Sequence, residues 1–300
     1  MTRRRLILGA ALLLLPFVVP IPEELERMRA LRSLGALAHF GLPAALALVL
    51  HRHGPLRGSV LKAGAAAFAL AAFMEIPQAF VGRHPRWQDA GIDLSGVLAA
   101  CGWLLWHGRR AGYGLALCVA ACGFMAVRMA PVPLFFLAER AAASGMPVVA
   151  DFESRLGMFL WDHNDGGHGR YARIADPGQP GNHVVRLDVR PHHVYPGILA
   201  RGLPRDWSPY RALVFRARQV EGAPCRLAVR LDDFTSRSDG RGVQRGYDLA
   251  PEWRTFRVDL AELASRADRP FRLDDIDSLL LYLGGIQDGV AVLIDDIRLE

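Results

Sequence analysis

Apolar and polar positions change pattern near residue 130. Before it, the apolar residues run on almost unbroken. Five segments approach the ~20 predominantly apolar residues that carry a helix across roughly 30 Å of hydrocarbon. They are Leu6 to Ile21, Leu34 to Leu50, Val60 to Val81, Ala90 to Trp106 and Ala111 to Val127. The stretch Ala130-Pro-Val-Pro-Leu-Phe-Phe-Leu is broken by prolines, and Pro131, Pro133, Gly145 and Pro147 mark a linker. Beyond it the period becomes two. His183-Val-Val-Arg-Leu-Asp-Val-Arg190, Ala212 to Arg218, Arg226 to Asp232, Arg254 to Asp259 and Val290 to Asp295 alternate between apolar and polar, with Gly, Pro and Asp at the turns. Short alternating strands separated by such turns predict a β-sandwich. Leu260 to Arg266 is at most two helical turns. The expected architecture is therefore multi-domain. A transmembrane bundle of about five helices covers 1–130, a linker or interfacial segment 131–147, and an all-β sandwich 148–300. The last of these is large enough to bury its own core.

The first apolar segment has features of a signal peptide, since Thr2-Arg-Arg-Arg-Leu-Ile-Leu resembles a twin-arginine signal. Pro16 and Pro20 interrupt it, and no A-x-A cleavage site follows, so it is read as a retained first helix.

Charge separates the two parts. The chain is 300 residues long with a net charge of +6, a balance that invites a nucleic-acid partner. Residues 1–145 carry 15 basic and 7 acidic residues, whereas 146–300 carry 21 and 23. The excess positive charge thus belongs to the most apolar part, where membrane topology accounts for it. No nucleic-acid partner is expected. Arg3 to Arg5, the loop 51–62 with Arg52, Arg57 and Lys62, and Arg109-Arg110 carry no nearby acid and are assigned to the cytoplasm. The loops 22–33 and 82–89 mix both signs and are assigned outside. Five crossings then place the C-terminal domain on the external face. Cys101, Cys118, Cys122 and Cys225 show no metal-site spacing, and the lone cysteine of the second part cannot form a disulfide within it.

Ionisable groups inside apolar segments are costly and are functional candidates. Glu75 lies deep in the third segment, with Gln78 on the same helical face and Pro77 between them. Arg83 follows, and Asp89 and Asp93 open the fourth segment, so Arg83 is within reach of Glu75, Asp89 or Asp93. His39 lies near the start of the second segment. These groups fix the bundle through interhelical hydrogen bonds, form a site for a lipid headgroup or glycan precursor, or serve proton-coupled transport or catalysis. No nucleophile–base pair or metal cluster is evident, which gives an enzyme little chemistry to use.

His39-Phe40, Glu75-x-x-Gln78, Gly82-Arg83 and Asp89-x-x-x-Asp93-x-x-Gly96 resemble the VanZ-like membrane family over roughly residues 1–125. The resemblance implies that Glu75, Gln78, Arg83 and Asp93 are its polar signature here, with Ser95 near a position where that pattern often has Asn. It also implies a bacterial cytoplasmic-membrane protein. The family is associated with low-level resistance to glycopeptide antibiotics.

The strand-rich part carries Trp161, Tyr171, Tyr195, Trp207, Tyr210, Tyr247 and Trp253, whose faces suit either core packing or stacking on sugar rings. Arg230, Asp232 and Asp233 at one strand end, with Arg245 and Tyr247 on a later strand, form a constellation able to fork hydrogen bonds onto vicinal hydroxyls or to pair among themselves. Asp151, Glu153, Asp295 and Asp296 sit near the two ends of the domain. They meet if first and last strands adjoin, as calcium ligands or as plain turn acids.

Val148-Val-Ala-Asp-Phe-Glu153, Asp206-Trp-Ser-Pro-Tyr210, Arg230-Leu-Asp-Asp233 and the closing Ile294-Asp-Asp-Ile-Arg-Leu299 resemble galactose-binding-like jelly rolls over roughly 148–300. Family 11 carbohydrate-binding modules and the complex I intermediate-associated protein family are the relatives in question. The resemblance implies a glycan site on Arg230, Asp232 and Tyr247, to which the residue reading adds Trp207, Asp233 and Arg245, and a structural calcium on Glu153 and Asp295. The expected function is a non-catalytic envelope protein with an external glycan-binding domain and a bundle that meets membrane lipid. The rival readings are a transporter or membrane enzyme for a lipid-linked envelope component, and a module that docks a protein partner. Oligomeric state is left open.

Overall fold

The computed structural model describes residues 28–80, 87–109, 111–164, 169–189, 195–236, 240–284 and 289–300. The expected first helix, Leu6 to Ile21, and Arg83 lie outside the described residues, as do the side chains of Glu75 and Gln78. The chain divides into two compact units, Met1–Pro133 and Leu134–Glu300.

The first unit contains α1 (Arg29–His53), α2 (Val60–Phe80), α3 (Trp87–Arg109) and α4 (Gly112–Met129). Each coincides with one of the expected apolar segments. Helix α3 packs against the other three. The crossings are built on small residues. A β-carbon at Gly96 would overlap the Phe40 carbonyl oxygen of α1, and one at Gly102 would stand 2.6 Å from the Gly114 oxygen of α4. One at Gly64 of α2 would stand 2.6 Å from the Cys101 Sγ. Buried positions are rich in alanine, including Ala47, Ala63, Ala67, Ala71, Ala99, Ala100 and Ala121. Large apolar side chains point the other way: Leu61 is 83% exposed, Val127 74%, Val119 61% and Phe73 60%. Among the described residues, two helical stretches, Ser33–His53 and Gly112–Gly145, are long and apolar enough to cross a membrane, and Val60–Met74 is a shorter apolar one.

A fifth helix, α5 (Val132–Gly145), occupies the segment expected to be a broken linker. Pro133 sits in its first turn, where the missing N–H has no intrahelical partner to lose. Here proline starts a helix instead of interrupting one. Ala138 is buried in the core of the second unit, with Ala142 and Met146 packed against it, and the Phe135 ring meets Phe159 edge-on at 6.1 Å.

The second unit is a two-sheet antiparallel sandwich. Its strands are β1 (Val148–Ala150), β2 (Trp161–Asn164), β3 (Gly169–Ala175), β4 (His183–Val189), β5 (Gly197–Arg201), β6 (Ala212–Glu221), β7 (Arg226–Asp233), β8 (Val243–Asp248), β9 (Arg254–Asp259), β10 (Ile276–Leu283) and β11 (Val290–Leu299). The short helix α6 (Leu260–Ala264) follows β9 and is capped by the Asp259 carboxylate, which accepts the Glu262 N–H. One sheet runs β3-β4-β11-β6-β9, with β1 also on β11, and the other runs β2-β5-β10-β7-β8. First and last strands do adjoin, as Val148 pairs with Arg298. The inward set, including Leu187, Phe215, Ile294, Leu227, Leu231 and Leu279, forms a single core between the sheets.

Candidate functional site

Strand residues alternate between the two faces of a sheet. On β7, Leu227, Val229 and Leu231 enter the core, so Arg226, Ala228, Arg230 and Asp232 lie on the outer face. The register then aligns one outer row across all five strands. Asn164 pairs with Gly197, Gly197 with Tyr282, Tyr282 with Ala228, and Ala228 with Gly246. The next outer row is Asp162, Leu199, Leu280, Arg230 and Gln244. On this face Leu199, Leu280 and Tyr282 form a buried apolar cluster with Ala228 packed against it, and Gly197 lets the Tyr282 backbone approach closely. The Tyr282 hydroxyl donates to Gln244 Oε1 at 2.6 Å, and the half-exposed Tyr195 ring stands edge-on to Tyr282 at 5.3 Å.

At the β8 end of this row lies a cavity of about 520 Å³ lined by Arg226, Ala228, Gln244, Arg245, Gly246, Tyr247, Arg266 and Tyr282. Gly246 makes room for it. A β-carbon there would stand 2.5 Å from Arg226 Nε, so the guanidinium lies across the glycine. Gly242 is similarly covered by the Arg230–Asp232 pair. The half-exposed Tyr195 ring can stack a ring face, and the amide, hydroxyl and guanidinium groups along the row and cavity can hydrogen-bond its substituents.

The expected glycan residues fall into three groups. Arg230 and Asp232 lie on the outer face beside this row, bound to each other at 2.8 Å, with Ser278 Oγ donating to the second Asp232 oxygen. Arg245 and Tyr247 line the cavity from the other side of the edge strand β8, where Tyr247 packs on Phe215 and Phe256 and burial pushes its phenol pKa up. Trp207 and Asp233 are corrections. Trp207 is fully buried in the sandwich core, and its indole N–H donates to the Pro204 carbonyl at 2.8 Å. Asp233, one residue on from Asp232, points inward and is fully buried. It accepts hydrogen bonds from Arg269, Ser236 and the Arg272 N–H. Burial would raise its pKa, but these donors outweigh burial and hold it at about 2. It is an anchor for the loop 269–272. Sequence reasoning missed Tyr282, Gln244, Arg226 and Arg266. Tyr282 sits in Leu279-Leu-Leu-Tyr-Leu283, where near-continuous leucine hides the alternation. Its hydroxyl was the one available signal.

The calcium candidates are near each other but differently engaged. Both Glu153 oxygens are taken by His183, one by its backbone N–H at 2.9 Å and one by its ring nitrogen at 3.0 Å. These contacts lower the Glu153 pKa. The Arg173 guanidinium already donates to the carbonyls of Phe152 and Glu153, at 2.5 and 2.7 Å. Asp295 accepts from Asn182 at 3.0 Å, and its buried Oδ1 has no hydrogen-bond partner. Burial raises its pKa. Calcium takes six to eight oxygens. One unanswered carboxylate oxygen, with the neighbouring acceptors engaged by Arg173 and His183, does not fit it, and no group of three or more metal-ligating side chains occurs among the described residues. A guanidinium supplies positive charge there instead.

In the helical unit, Asp93 of α3 is fully buried, and its Oδ1 lies 3.1 Å from His39 Nδ1 of α1. The partner of Asp93 among the described residues is thus a histidine that the sequence had placed on a separate segment. Ser95 Oγ donates to the Ile92 carbonyl at 2.7 Å, and Asp89 sits in the first turn of α3.

No family model matches the chain, and no curated protein matches it. Among solved structures, an exo-β-agarase is similar at 18% identity over 52% of this chain and 25% of that one, with a TM-score of 0.42. A family 11 carbohydrate-binding module from Clostridium thermocellum, in complex with a β-1,3-1,4-mixed-linked tetrasaccharide, is 17% identical over 51% of this chain and 94% of its own, with a TM-score of 0.39. A family 30 module of a cellulosomal cellulase of the same organism is 18% identical over 47% and 91%, with a TM-score of 0.38.

Proposed function

We propose that this chain is a membrane-anchored carbohydrate-binding protein whose sandwich domain faces outward from the cytoplasm. The observation that carries the binding reading is the transverse row Gly197–Tyr282–Ala228–Gly246 with the cavity at its end. A saccharide laid along the row meets the half-exposed Tyr195 ring, with Gln244, Arg226 and Arg230 at its edges. The domain acts by binding and is non-catalytic.

The membrane reading is supported by the polarity of the helical unit. Its crossings use Gly and Ala, and its large apolar side chains face out, which is the arrangement of helices solvated by lipid and not by water. The charge of the terminus and loops supports a cytoplasmic N-terminus. The buried Asp93–His39 pair lies in the polar pattern similar to that of VanZ-like proteins, and it is where the bundle would recognise a lipid-linked envelope component.

The test is a glycan array probed with residues 134–300, repeated with Tyr195→Ala and Gln244→Ala. Binding to a defined saccharide that weakens in either variant is the expected result. Absence of saccharide binding, together with capture of a single protein partner, would sink the proposal.

A further inference from the structure

We propose that the saccharide taken by this face carries acid groups, carboxylate or sulfate, read by Arg226, Arg245 and Arg266. The inference rests on the carbohydrate-binding reading above and adds the chemical class of the ligand.

The cavity lining holds three guanidinium groups and no carboxylate. They come from separate elements: Arg226 from β7, Arg245 from β8, and Arg266 from just beyond α6. The acids that accompany them stand outside the lining. Glu262 accepts one N–H from Arg245 at 2.7 Å and one from Arg266 at 3.0 Å. Asp248 is 3.9 Å from Arg226 Nε, and one Arg226 N–H goes to the Gly246 carbonyl at 3.1 Å. A guanidinium has five N–H donors, so each arginine keeps several free to face the cavity. All three side chains are solvent-accessible, from 35% for Arg245 to 66% for Arg226. This is not general basicity, because residues 146–300 carry 21 basic and 23 acidic residues.

Hydrogen-bond accounting favours an anion over a neutral sugar. Sugar hydroxyls need acceptors as well as donors. The lining's side-chain acceptors are few and uncharged: Gln244 Oε1, which already takes the Tyr282 proton, and the two tyrosine oxygens, of which Tyr247 gives its own proton to the Arg257 carbonyl. The surplus is of donors in planar forks, the geometry that matches carboxylate and sulfate oxygens. Carboxylate and sulfate only accept.

The experiment uses the full chain in detergent and two matched pairs of polysaccharides: polygalacturonate against its methyl ester, and a sulfated galactan against agarose. Polyglutamate serves as a charged polymer without sugar. Affinity is read by calorimetry at low and high salt. The charged member of at least one pair should bind about tenfold tighter or better, as one or two charge-assisted hydrogen bonds confer. The preference should vanish in Arg226→Gln/Arg266→Gln, and the pair in which it appears identifies the acid group. Equal binding to charged and neutral members overturns the inference and leaves carbohydrate binding standing. Equal affinity for polyglutamate, or a preference unchanged in the double variant, also overturns it. If no saccharide binds in any arm or on the array, the carbohydrate reading fails as well.

Discussion

The guanidinium of Arg226 lies across Gly246 of the neighbouring strand, where a β-carbon would stand 2.5 Å from its Nε. The obstacle is the far end of a flexible side chain, so Gly246→Ala should cost well under about 1 kcal/mol of stability. It should still displace Arg226 and weaken saccharide binding several-fold. Thermal melting and calorimetry on the same sample separate the two effects.

The opposite balance holds at Gly102 of α3. There the β-carbon would meet backbone, 2.6 Å from the Gly114 oxygen and 2.7 Å from the Cys118 nitrogen. Backbone cannot step aside as a side chain does, so Gly102→Ala should cost about 3 kcal/mol, the upper range for overpacking. The helical unit should lose its cooperative melt, while the sandwich, with its own core, keeps its transition.

Asp233 predicts an acid dependence. Its carboxyl is held at about 2, against 3.8 for the unperturbed group. A depressed carboxylate pKa contributes stability that is complete above the unfolded value and is lost as pH falls through the folded one. Between about pH 4 and pH 2 the sandwich should therefore lose about 2 kcal/mol, and Asp233→Asn should flatten that slope. Denaturant titrations across this range measure it.

Asp295 carries the reverse sign. Burial raises its pKa, so its ionised form costs stability at neutral pH, and the cost is relieved on acidification. Asp295→Asn should leave the melting temperature at pH 7 unchanged or higher, and chelator should not lower that of the parent chain. A drop in both would mean that calcium sits there after all.

Helix α5 sets where the sandwich can be cut. A fragment starting at 148 loses the buried Ala138, the Ala142 and Met146 contacts and the Phe135–Phe159 pair. It should melt about 2 kcal/mol less stably than one starting at 134, on the burial lost. Side-by-side denaturation of the two fragments decides this.

The change from unbroken apolar runs to period two, and the four helices at α1 to α4, were legible along the chain. Both depend on hydropathy period, which is a local property of sequence. The same holds for the strands whose outer face is wet, such as β7. It failed at β10, where Leu280 and Tyr282 are covered on the outer face as Leu279 and Leu281 are on the inner one. It failed also at α5, because the effect of a proline depends on which turn of the helix it occupies.

The sequence alone determined the two-part organisation and supplied Arg230, Asp232, Arg245 and Tyr247 as candidates. Only the tertiary structure could separate Asp232 from Asp233, since a one-residue step reverses the face on which a strand side chain lies. Only it could remove Trp207 to the core and pair Asp93 with His39, 54 residues away. The outer row that ends at the cavity was out of reach for the same reason. Gly197, Ala228, Gly246 and Tyr282 become neighbours through the register of four strands, and register is a property of pairing that no single strand carries.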